Sequence, residues 1–335
     1  MNRRPSERVL VIKLSAFGDF VMSIGAFQAI RAHHPGAGIV LLTTRPYAAL
    51  AEASGCFEEV WLDRRPGPLD PPGWLALARR LRLGRFTRVY DLQRSQRSGW
   101  YFRLLGRPRP EWVGVVPGCS HRYRPPAGRT LHIVDRQAAQ LALAGIADVP
   151  PPDLSFVRAD TGRFALPTDF ALLVPGGAAH RPAKRWPAAR FAALARALAA
   201  RGLTPVVLGT AAEEDALAAI AAACPEARDL CGQAGLEDIA ALAREARIAV
   251  GNDTGPMHLI AAAGCPVVSL FSGESDPAKV APRGPSVAVL RRPELADLAL
   301  EEVLAALPPD LPKAAAGTKS SEANPAEREE APPDE

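Results

Sequence analysis

Cysteine and long apolar runs are both scarce in this chain of 335 residues. The five cysteines are scattered and form no Cys-x-x-Cys pair, so a structural zinc site is not expected. We expect the cysteines to be reduced thiols. The longer apolar stretches, such as 216–224, end well short of the roughly 18 residues that a membrane-spanning helix needs. The first residues also lack the apolar core of a signal peptide. We therefore expect a cytoplasmic protein.

Two common signatures of nucleotide chemistry are missing as well. The loop after the first strand-like segment has one glycine, Gly18, where the dinucleotide motif Gly-x-Gly-x-x-Gly needs three. This absence weakens the hypothesis that the protein transfers hydride with a nicotinamide cofactor. No Asp-x-Asp occurs, so a Mg²⁺ or Mn²⁺ ion bridging a diphosphate has no evident ligands. The expectation is a protein with no metal site and no bound cofactor.

Charge is present but unevenly distributed. Residues 1–150 hold 22 Lys and Arg against 11 Asp and Glu, whereas the remainder holds 18 against 25. Between Arg79 and Arg109 there are ten arginines and one acid, Asp91. This density would attract an anionic partner, and nucleic acid, anionic lipid and phosphorylated sugar are all candidates. Aromatic residues for base stacking are sparse there, which makes nucleic acid the weakest of the three, and solvated arginines are the plain alternative.

Short β-branched runs alternate with longer Ala- and Leu-rich runs of helical period, which is typical of parallel sheets with crossover helices. The predicted strands are 8–14, 38–44, 58–62, 88–93 and 111–116, then 170–174, 205–208, 247–250, 267–271 and 287–290. The predicted helices are 20–32, 47–53, 73–83, 95–105 and 132–144, then 188–200, 213–222, 237–245, 256–263 and 295–307.

A Pro-containing stretch at 150–167 separates the two series and indicates a linker. The fold class predicted is α/β, with two Rossmann-like, doubly wound domains facing across a cleft. We assign residues 1–155 to the first domain and 156–311 to the second. The acidic, Pro-containing end, 312–335, cannot bury enough apolar area to order itself and is expected to be a disordered tail.

The loop after the first strand, Lys13 to Asp19, lies where open α/β sheets bind their ligands, at a carboxyl strand end. Asp19 has two interpretations. It could be the N-cap of the following helix, since Asp accepts hydrogen bonds from free amide groups there. It could instead be a general base at the edge of the cleft.

Two loops of the second half combine features that suit a diphosphate. Gly251 to His258 joins a strand to a helix that begins with Pro256, and such a helix start presents free amides and positive charge. The loop from Pro175 to Pro187 contains Gly176 and Gly177, which admit a phosphate, and Lys184 and Arg185, which could neutralise a leaving nucleoside diphosphate. A capped helix and a solvated basic turn are the plain alternatives, and Trp186 is expected to be a packing residue.

These segments, taken together and in order, resemble glycosyltransferase family 9, the ADP-heptose:lipopolysaccharide heptosyltransferases. The resemblance runs from about residue 7 to 290. The segments that carry it are Arg8-Val9-Leu10-Val11-Ile12-Lys13 with Ser15, Gly18 and Asp19; Asp91-Leu92-Gln93 with Arg97-Ser98; Lys184-Arg185-Trp186-Pro187; and Asp253-Thr254-Gly255-Pro256-Met257-His258-Leu259.

The resemblance implies a GT-B fold and an inverting, metal-independent transfer of heptose from ADP-heptose to a sugar hydroxyl of the lipopolysaccharide inner core. The first domain would bind the acceptor and the second the nucleotide sugar, at the cytoplasmic face of the inner membrane. No nucleic acid and no stable protein partner are implied. The implied catalytic residues are Asp19, as the base, and Lys184, which contacts the donor phosphates. The implied donor-binding residues are Gly176, Gly177, Lys184, Asp253, Thr254, Gly255 and His258. The implied acceptor-binding residues are Ser15, Gly18 and Arg97, the last standing where relatives often carry Lys.

One segment departs from the family pattern. Where relatives commonly carry Gly-Pro-Thr-Asp-Pro, this chain has Ser272-Gly273-Glu274-Ser275-Asp276-Pro277, so the donor pocket is expected to differ there. Three alternatives stay open: a transferase of another nucleotide sugar, a nucleotide-sugar epimerase or hydrolase on the same fold, and a non-catalytic protein that binds through its arginines.

Overall fold

Two parallel sheets of six strands each form the framework of the protein in a computed structural model, which describes residues 7–128, 130–177 and 181–311. The first sheet consists of β1 (Arg8–Ile12), β2 (Gly38–Thr43), β3 (Glu59–Leu62), β4 (Arg88–Asp91), β5 (Glu111–Gly114) and β6 (His121–Arg122). The second consists of β7 (Phe170–Val174), β8 (Thr204–Val207), β9 (Arg228–Asp229), β10 (Ile248–Asn252), β11 (Val267–Phe271) and β12 (Val287–Arg291). Both predicted series of strands are confirmed. The short edge strands β6 and β9 were not predicted, and the expected tail lies outside the described residues.

The two sheets have the same topology. Their strand orders are β3-β2-β1-β4-β5-β6 and β12-β11-β10-β7-β8-β9, so each follows the order 3-2-1-4-5-6 when it is numbered from its own first strand. In such sheets the direction of winding reverses between the first and fourth strands, and ligands bind at the carboxyl ends there. The expected sites are thus the ends of β1 and β4 in one lobe and of β7 and β10 in the other.

The helices lie between successive strands. Those of the first lobe are α1 (Phe17–Val21), α2 (Ile24–His33), α3 (Ala48–Ala53), α4 (Pro71–Leu83), α5 (Gln96–Leu104) and α6 (Ile133–Ala142). Those of the second are α7 (Ala188–Ala199), α8 (Glu214–Ala223), α9 (Leu236–Glu245), α10 (Gly255–Ala262), α11 (Pro277–Val280) and α12 (Leu300–Ala305). No helix in the described part of the chain is long and apolar enough to cross a membrane.

The first predicted helix differs from the prediction in a way that matters for the site. It begins at Phe17, three residues early, with Ala16 in the N-cap position and no side-chain cap. It is also interrupted at Ser23, whose hydroxyl donates to the carbonyl of Asp19 at 2.6 Å and accepts from Gln137 at 2.7 Å. Asp19 therefore lies inside the first turn of α1, and its interpretation as an N-cap is wrong.

The last predicted helix, 295–307, is also divided. A single 3₁₀ turn at Leu295–Asp297 is followed by an extended Leu298 and then by α12. The carbonyl of Leu298 accepts a hydrogen bond from the indole of Trp186 at 3.0 Å, which requires backbone that is not helical. The short helix α11, capped by Asp276, was not predicted.

Apolar side chains cover both faces of each sheet. Along β1, Val9 and Val11 join an inner cluster that contains residues of both lobes, whereas Leu10 and Ile12 join an outer one. Residues of β7 alternate in the same way between the inner cluster and a second outer cluster. Strands that are buried on both faces leave only their ends free for ligands.

The two lobes contact each other through polar groups as well. His132, before α6, donates from Nε2 to the carbonyl of Ala281 at 2.8 Å, and Arg283 pairs with Asp135 at 3.1 Å. The predicted linker packs against helices, since Arg244 of α9 donates to the carbonyl of Val157 at 3.0 Å.

Candidate active site

The starts of two helices, one from each lobe, meet at the cleft. A Cβ atom added to Gly18 in α1 would overlap the ring of His258 in α10, and one added to Gly255 would overlap the ring of Phe17. Both positions thus require the absence of a side chain. These contacts bring the carboxyl end of β1 opposite the carboxyl end of β10.

Asp19 lies at this junction, with its side chain 36% exposed. Its carboxylate is 3.7 Å from the ammonium of Lys13, the first residue after β1. Asp19 also contributes to the electrostatic field at His258, across the lobe boundary. A partly exposed carboxylate at the junction has the access that a general base needs.

Lys13 is a site residue whose importance the sequence did not reveal. Its side chain is buried, and burial lowers the pKa of its ammonium to about 8, with Arg136 adding to the lowering and Asp19 and Asp91 opposing it. Lysine is rarely buried without a charged partner, and here the nearest partner is Asp19. The signal in the sequence was a lysine at the end of an apolar strand.

Lys184 and Asp253 form a buried ion pair in the second lobe. The ammonium of Lys184, from the 3₁₀ turn Pro182–Lys184, donates to Asp253 Oδ2 at 2.7 Å. The hydroxyl of Ser275 donates to the same oxygen at 2.6 Å. The pair unites two loops that are 69 residues apart in the chain, and it turns the Lys184 ammonium toward the start of α10.

Thr254 and His258 leave polar atoms free at the start of α10. Thr254 occupies the N-cap position without capping the helix, and its hydroxyl is buried with no hydrogen-bond partner among the described residues. His258 is buried, and burial lowers its pKa to about 4 although Asp253 and Asp19 oppose the shift. The imidazole is therefore neutral at physiological pH, and its Nδ1 has no partner among the described side chains.

Asn252, at the end of β10, was not predicted as a site residue. It organises the loop from Pro175 to Pro187, which contains Gly176 and Gly177 and is called the glycine loop below. Its amide donates to the carbonyls of Pro175 and Gly176 at 2.7 and 3.1 Å. Its oxygen accepts from the backbone of Trp186 at 3.0 Å. Trp186 itself is 2% exposed, which confirms its expected packing role.

The glycine loop lies beside charged groups of neighbouring segments. A Cβ on Gly176 would come within 3.3 Å of the carboxylate of Glu213, and the carbonyl of Gly177 accepts from Arg185 at 2.8 Å. Glu213 is a buried residue that was not predicted as a site residue. Its carboxylate caps its own turn by accepting hydrogen bonds from the backbone amide and the hydroxyl of Thr210. Part of the predicted loop, residues 178–180, lies outside the described residues.

The acceptor residues implied for the first lobe do not all lie together. Ser15 is held by Gln93, which accepts from its amide at 3.0 Å, and lies within 3.5 Å of Arg65. Gly18 lies at the junction described above. Arg97, in α5, instead donates to the carbonyl of Pro66 at 3.2 Å and stacks over Trp74.

Arg97 and Trp74 border a cavity of about 630 Å³ in the first lobe, together with Trp100 and two prolines. A hydrogen-bonded series connects this cavity with Ser15. The hydroxyl of Tyr101, next to Arg97, donates to Asp63, which also accepts from the amide of Arg65 at 2.8 Å. Across residues 7–128, 130–177 and 181–311, no three His, Cys, Asp or Glu side chains group as metal ligands.

Comparison with known proteins decides the family. A family model described as glycosyltransferase family 9 (heptosyltransferase) matches residues 74–304. The chain belongs to glycosyltransferase family 9. It is 29% identical over 315 residues to lipopolysaccharide heptosyltransferase 2 of Escherichia coli (strain K12), covering 85% of this chain and 88% of the relative.

Solved structures agree with the family assignment. A family 9 glycosyltransferase from Veillonella parvula DSM 2008 superposes with a TM-score of 0.78 at 21% identity, over 90% of this chain and 96% of the other. The ADP-heptose lipopolysaccharide heptosyltransferase II of E. coli superposes with a TM-score of 0.72 at 25% identity, over 90% and 97%. The protein is thus a glycosyltransferase, and its two doubly wound lobes form the predicted GT-B fold.

In this family 9 glycosyltransferase, the segment after β11, Ser272 to Pro277, lies beside the Lys184–Asp253 pair, and its expected effect on the donor pocket stays a prediction. Ser272 is buried and its hydroxyl accepts from the amide of Glu274 at 3.3 Å. Ser275 makes the contact with Asp253 described above. This segment therefore supplies a hydroxyl donor directly to the Lys184–Asp253 pair.

Proposed function

We propose that this protein transfers a heptose from ADP-heptose to a sugar hydroxyl of the lipopolysaccharide inner core, with inversion at the anomeric carbon. One observation carries the proposal. Asp19 stands at the start of α1, which packs directly against the start of α10, where the free hydroxyl of Thr254 and the Lys184–Asp253 pair converge. The heptosyltransferase relatives support the choice of donor and acceptor.

Asp19 acts as the general base in this proposal. Its carboxylate takes the proton from the acceptor hydroxyl while the hydroxyl oxygen attacks the anomeric carbon. ADP leaves from the opposite face, so a single displacement inverts that carbon. Lys13, 3.7 Å away, keeps a positive charge beside the carboxylate and limits its movement.

The start of α10 holds the donor diphosphate. Its free amide groups and the positive end of its dipole favour an anion, and the unpartnered hydroxyl of Thr254 adds a donor. Lys184 stabilises the negative charge that develops on the departing ADP. Asp253 orients that ammonium, and Gly255 allows the backbone to approach closely.

Residues of the glycine loop and of the first lobe complete the two binding regions. Gly176 and Gly177 leave space for the nucleotide at the end of β7, and neutral His258 packs behind the sugar diphosphate. Ser15 and Gly18 border the acceptor near Asp19, and Arg97 contacts it further out, at the cavity edge.

The first lobe also has a surface suited to a membrane that carries such an acceptor. Leu69, Leu75 and Trp100 are exposed, and all are at or next in sequence to residues that border the cavity. Two arginines lie beside them, since Arg103 stacks over Trp100 and Arg97 borders the same cavity. Exposed apolar groups with basic neighbours match the surface of an anionic bilayer.

Replacing Asp19 by Asn tests the proposed chemistry. We expect the rate of heptosyl transfer to fall roughly 10²- to 10⁴-fold, because the amide cannot accept the proton, while ADP affinity changes little. The readouts are product formation with ADP-heptose and a deacylated inner-core acceptor, and calorimetric titration with ADP. Chelation by EDTA is expected to leave the rate unchanged.

Asp148→Asn, which removes an exposed acid of the same lobe, serves as the control and should behave like the wild type. A fully active Asp19→Asn enzyme would refute the base assignment. Release of ADP from ADP-heptose without any acceptor would instead favour an epimerase or hydrolase. A marked preference for UDP or GDP over ADP would point to another donor sugar.

A further inference from the structure

A group of buried cationic atoms without partners lies behind Asp19 in the first lobe. Arg94, in the turn between β4 and α5, has a guanidinium whose Nε and Nη1 are buried and have no hydrogen-bond partner among the described residues. The same holds for Nε of Arg136 in α6 and for the hydroxyl of Tyr123. Buried donors without acceptors are rare in folded proteins, because each such group loses its hydration without replacement.

These donors belong to one group. The guanidinium of Arg94 lies over the ring of Tyr123, 5.1 Å from its centroid. Burial lowers the pKa of Arg94, and the positive charge of Arg136 lowers it further. Arg136 has the same effect on Lys13, the partner of Asp19. Arg136 thus lies close enough to act electrostatically on both Arg94 and Lys13, and Lys13 is the partner of the proposed base.

The carboxylates of this region do not accept hydrogen bonds from the free donors of Arg94, Arg136 and Tyr123. Asp91 accepts from the backbone amide of Arg94 at 2.9 Å through Oδ1, and its Oδ2 has no partner in the described part of the chain. Lys13, Arg94 and Arg136 therefore face two carboxylates, Asp91 and Asp19. One anion placed beside Arg94 would balance the charge and fill the free donors.

The backbone of Arg94 is a separate indication. Its φ is +54°, in the left-handed region that favours glycine or asparagine and is strained for arginine. Strain of this kind is often found where a side chain is needed for binding. Arg94 also borders an open cavity of about 560 Å³ between α5 and residues 115–117, which gives a ligand access.

We propose that Arg94, Arg136 and Tyr123 form a binding site for an anionic group of the acceptor, a carboxylate or a phosphate monoester. The planar guanidinium of Arg94 matches either group with two parallel N–H bonds. Binding there orients the acceptor so that its hydroxyl reaches Asp19. The site rests on the proposed function, since it names the chemical class that the transferase must recognise in its acceptor.

Arg94→Gly is the sharpest test. Glycine suits a φ of +54° and keeps the hydrogen bond from the backbone amide to Asp91. The thermal midpoint is therefore expected to equal or exceed that of the wild type. The KM for acceptor is expected to rise tenfold or more, while ADP affinity stays within twofold. Arg94→Lys should give an intermediate KM, because it retains the charge but not the paired donors. Arg85→Gly, which removes an exposed arginine of the same lobe whose φ is also positive, at +48°, is the matched control.

Acceptor analogues separate the two possible sources of the anion. One acceptor has its sugar carboxylate converted to a methyl ester, and a second lacks its phosphate. The analogue that lacks the recognised group should react equally well with wild type and Arg94→Gly. If both analogues retain the full effect of the substitution, or if Arg94→Gly loses stability without changing the acceptor KM, the proposal is overturned.

A direct binding measurement distinguishes this site from the proposed function. With ADP saturating the donor site, inorganic phosphate should raise the thermal midpoint of the wild type but not of Arg94→Gly. If this difference is seen but no acceptor receives a heptose in the transfer assay, the anion site stands and the proposed function fails. If phosphate affects both proteins equally, the anion site fails whatever the transfer assay gives.

Discussion

At the scale of single residues, the most consequential feature is a histidine that is kept neutral. His258 is buried against Gly18, and burial lowers its pKa to about 4. The unfolded chain would protonate this imidazole near pH 6.5. Between these values the unfolded state binds a proton that the folded state does not, so stability is lost as the pH falls.

The effect is open to a stability measurement. Lowering the pH from about 6.5 to about 4 should cost the wild type on the order of 3 kcal/mol through His258 alone. His258→Gln should remove that part of the pH dependence, as measured by urea unfolding at several pH values. His33→Gln, which removes an exposed imidazole of α2, is the control and should keep the wild-type slope. Equal slopes for wild type and His258→Gln would contradict the assignment.

At the scale of elements, the close approach of α1 and α10 decides the geometry of the site. Neither helix is long, and neither has a side-chain cap. Their contact depends on two glycines, Gly18 and Gly255, each of which lies against an aromatic ring of the other helix. A displacement of either helix would change the distance between Asp19 and the proposed donor site.

Gly18→Ala should therefore disturb both stability and catalysis. The added methyl group forces α1 away from His258, at an expected cost of about 1–3 kcal/mol. A shift of about 1 Å at Asp19 is expected to lower kcat/KM up to roughly 100-fold. Thermal unfolding and transfer kinetics are the measurements.

Gly99→Ala in α5 provides the matched comparison. Within 4 Å among the described residues, the added methyl there would meet only Val116, at 3.8 Å. Because alanine favours a helix over glycine, the expected change is a gain of about 0.5–1 kcal/mol. If the two substitutions had similar effects, the packing of α1 against α10 would not be critical.

At the scale of the whole molecule, the uneven charge leads us to propose different partners for the two lobes. The basic lobe carries the exposed Leu75 and Trp100, and the acidic remainder includes the lobe that holds the donor loops. Such a division would turn the first lobe toward an anionic membrane. In the proposed function, the second lobe would then remain free to exchange nucleotide.

Vesicle sedimentation tests this orientation. The protein is expected to bind vesicles of phosphatidylcholine with phosphatidylglycerol but not of phosphatidylcholine alone, and binding should weaken as salt rises. Leu75→Ser combined with Trp100→Ser should reduce binding severalfold, because it removes the apolar part of the surface. Leu143→Ser, at an exposed leucine that follows α6, should not. Binding that is independent of lipid charge would refute the membrane proposal.

Most of the fold was predictable because its determinants are local. Buried strands such as β7 and β11 are short β-branched or Leu-rich runs, and their predicted and observed bounds coincide. The edge strands β6 and β9 have two residues each, too few to produce a pattern. The start of α1 was misplaced because no capping residue marks Ala16.

The site was predictable only in part. Lys184, Asp253 and Thr254 were predicted as site residues because they lie in loops rich in Gly and polar residues after strands, and their roles stay predictions. The sequence by itself determined two series of parallel strands and which loops lie at their carboxyl ends, since hydrophobic period and turn residues are properties of neighbouring positions. Only the tertiary structure decided that Lys13 is buried beside Asp19, that Lys184 pairs with Asp253, and that Arg94 lies over the ring of Tyr123. Burial and charge pairing depend on residues that are distant in the chain, and these meet only when the strands take their order and the lobes close.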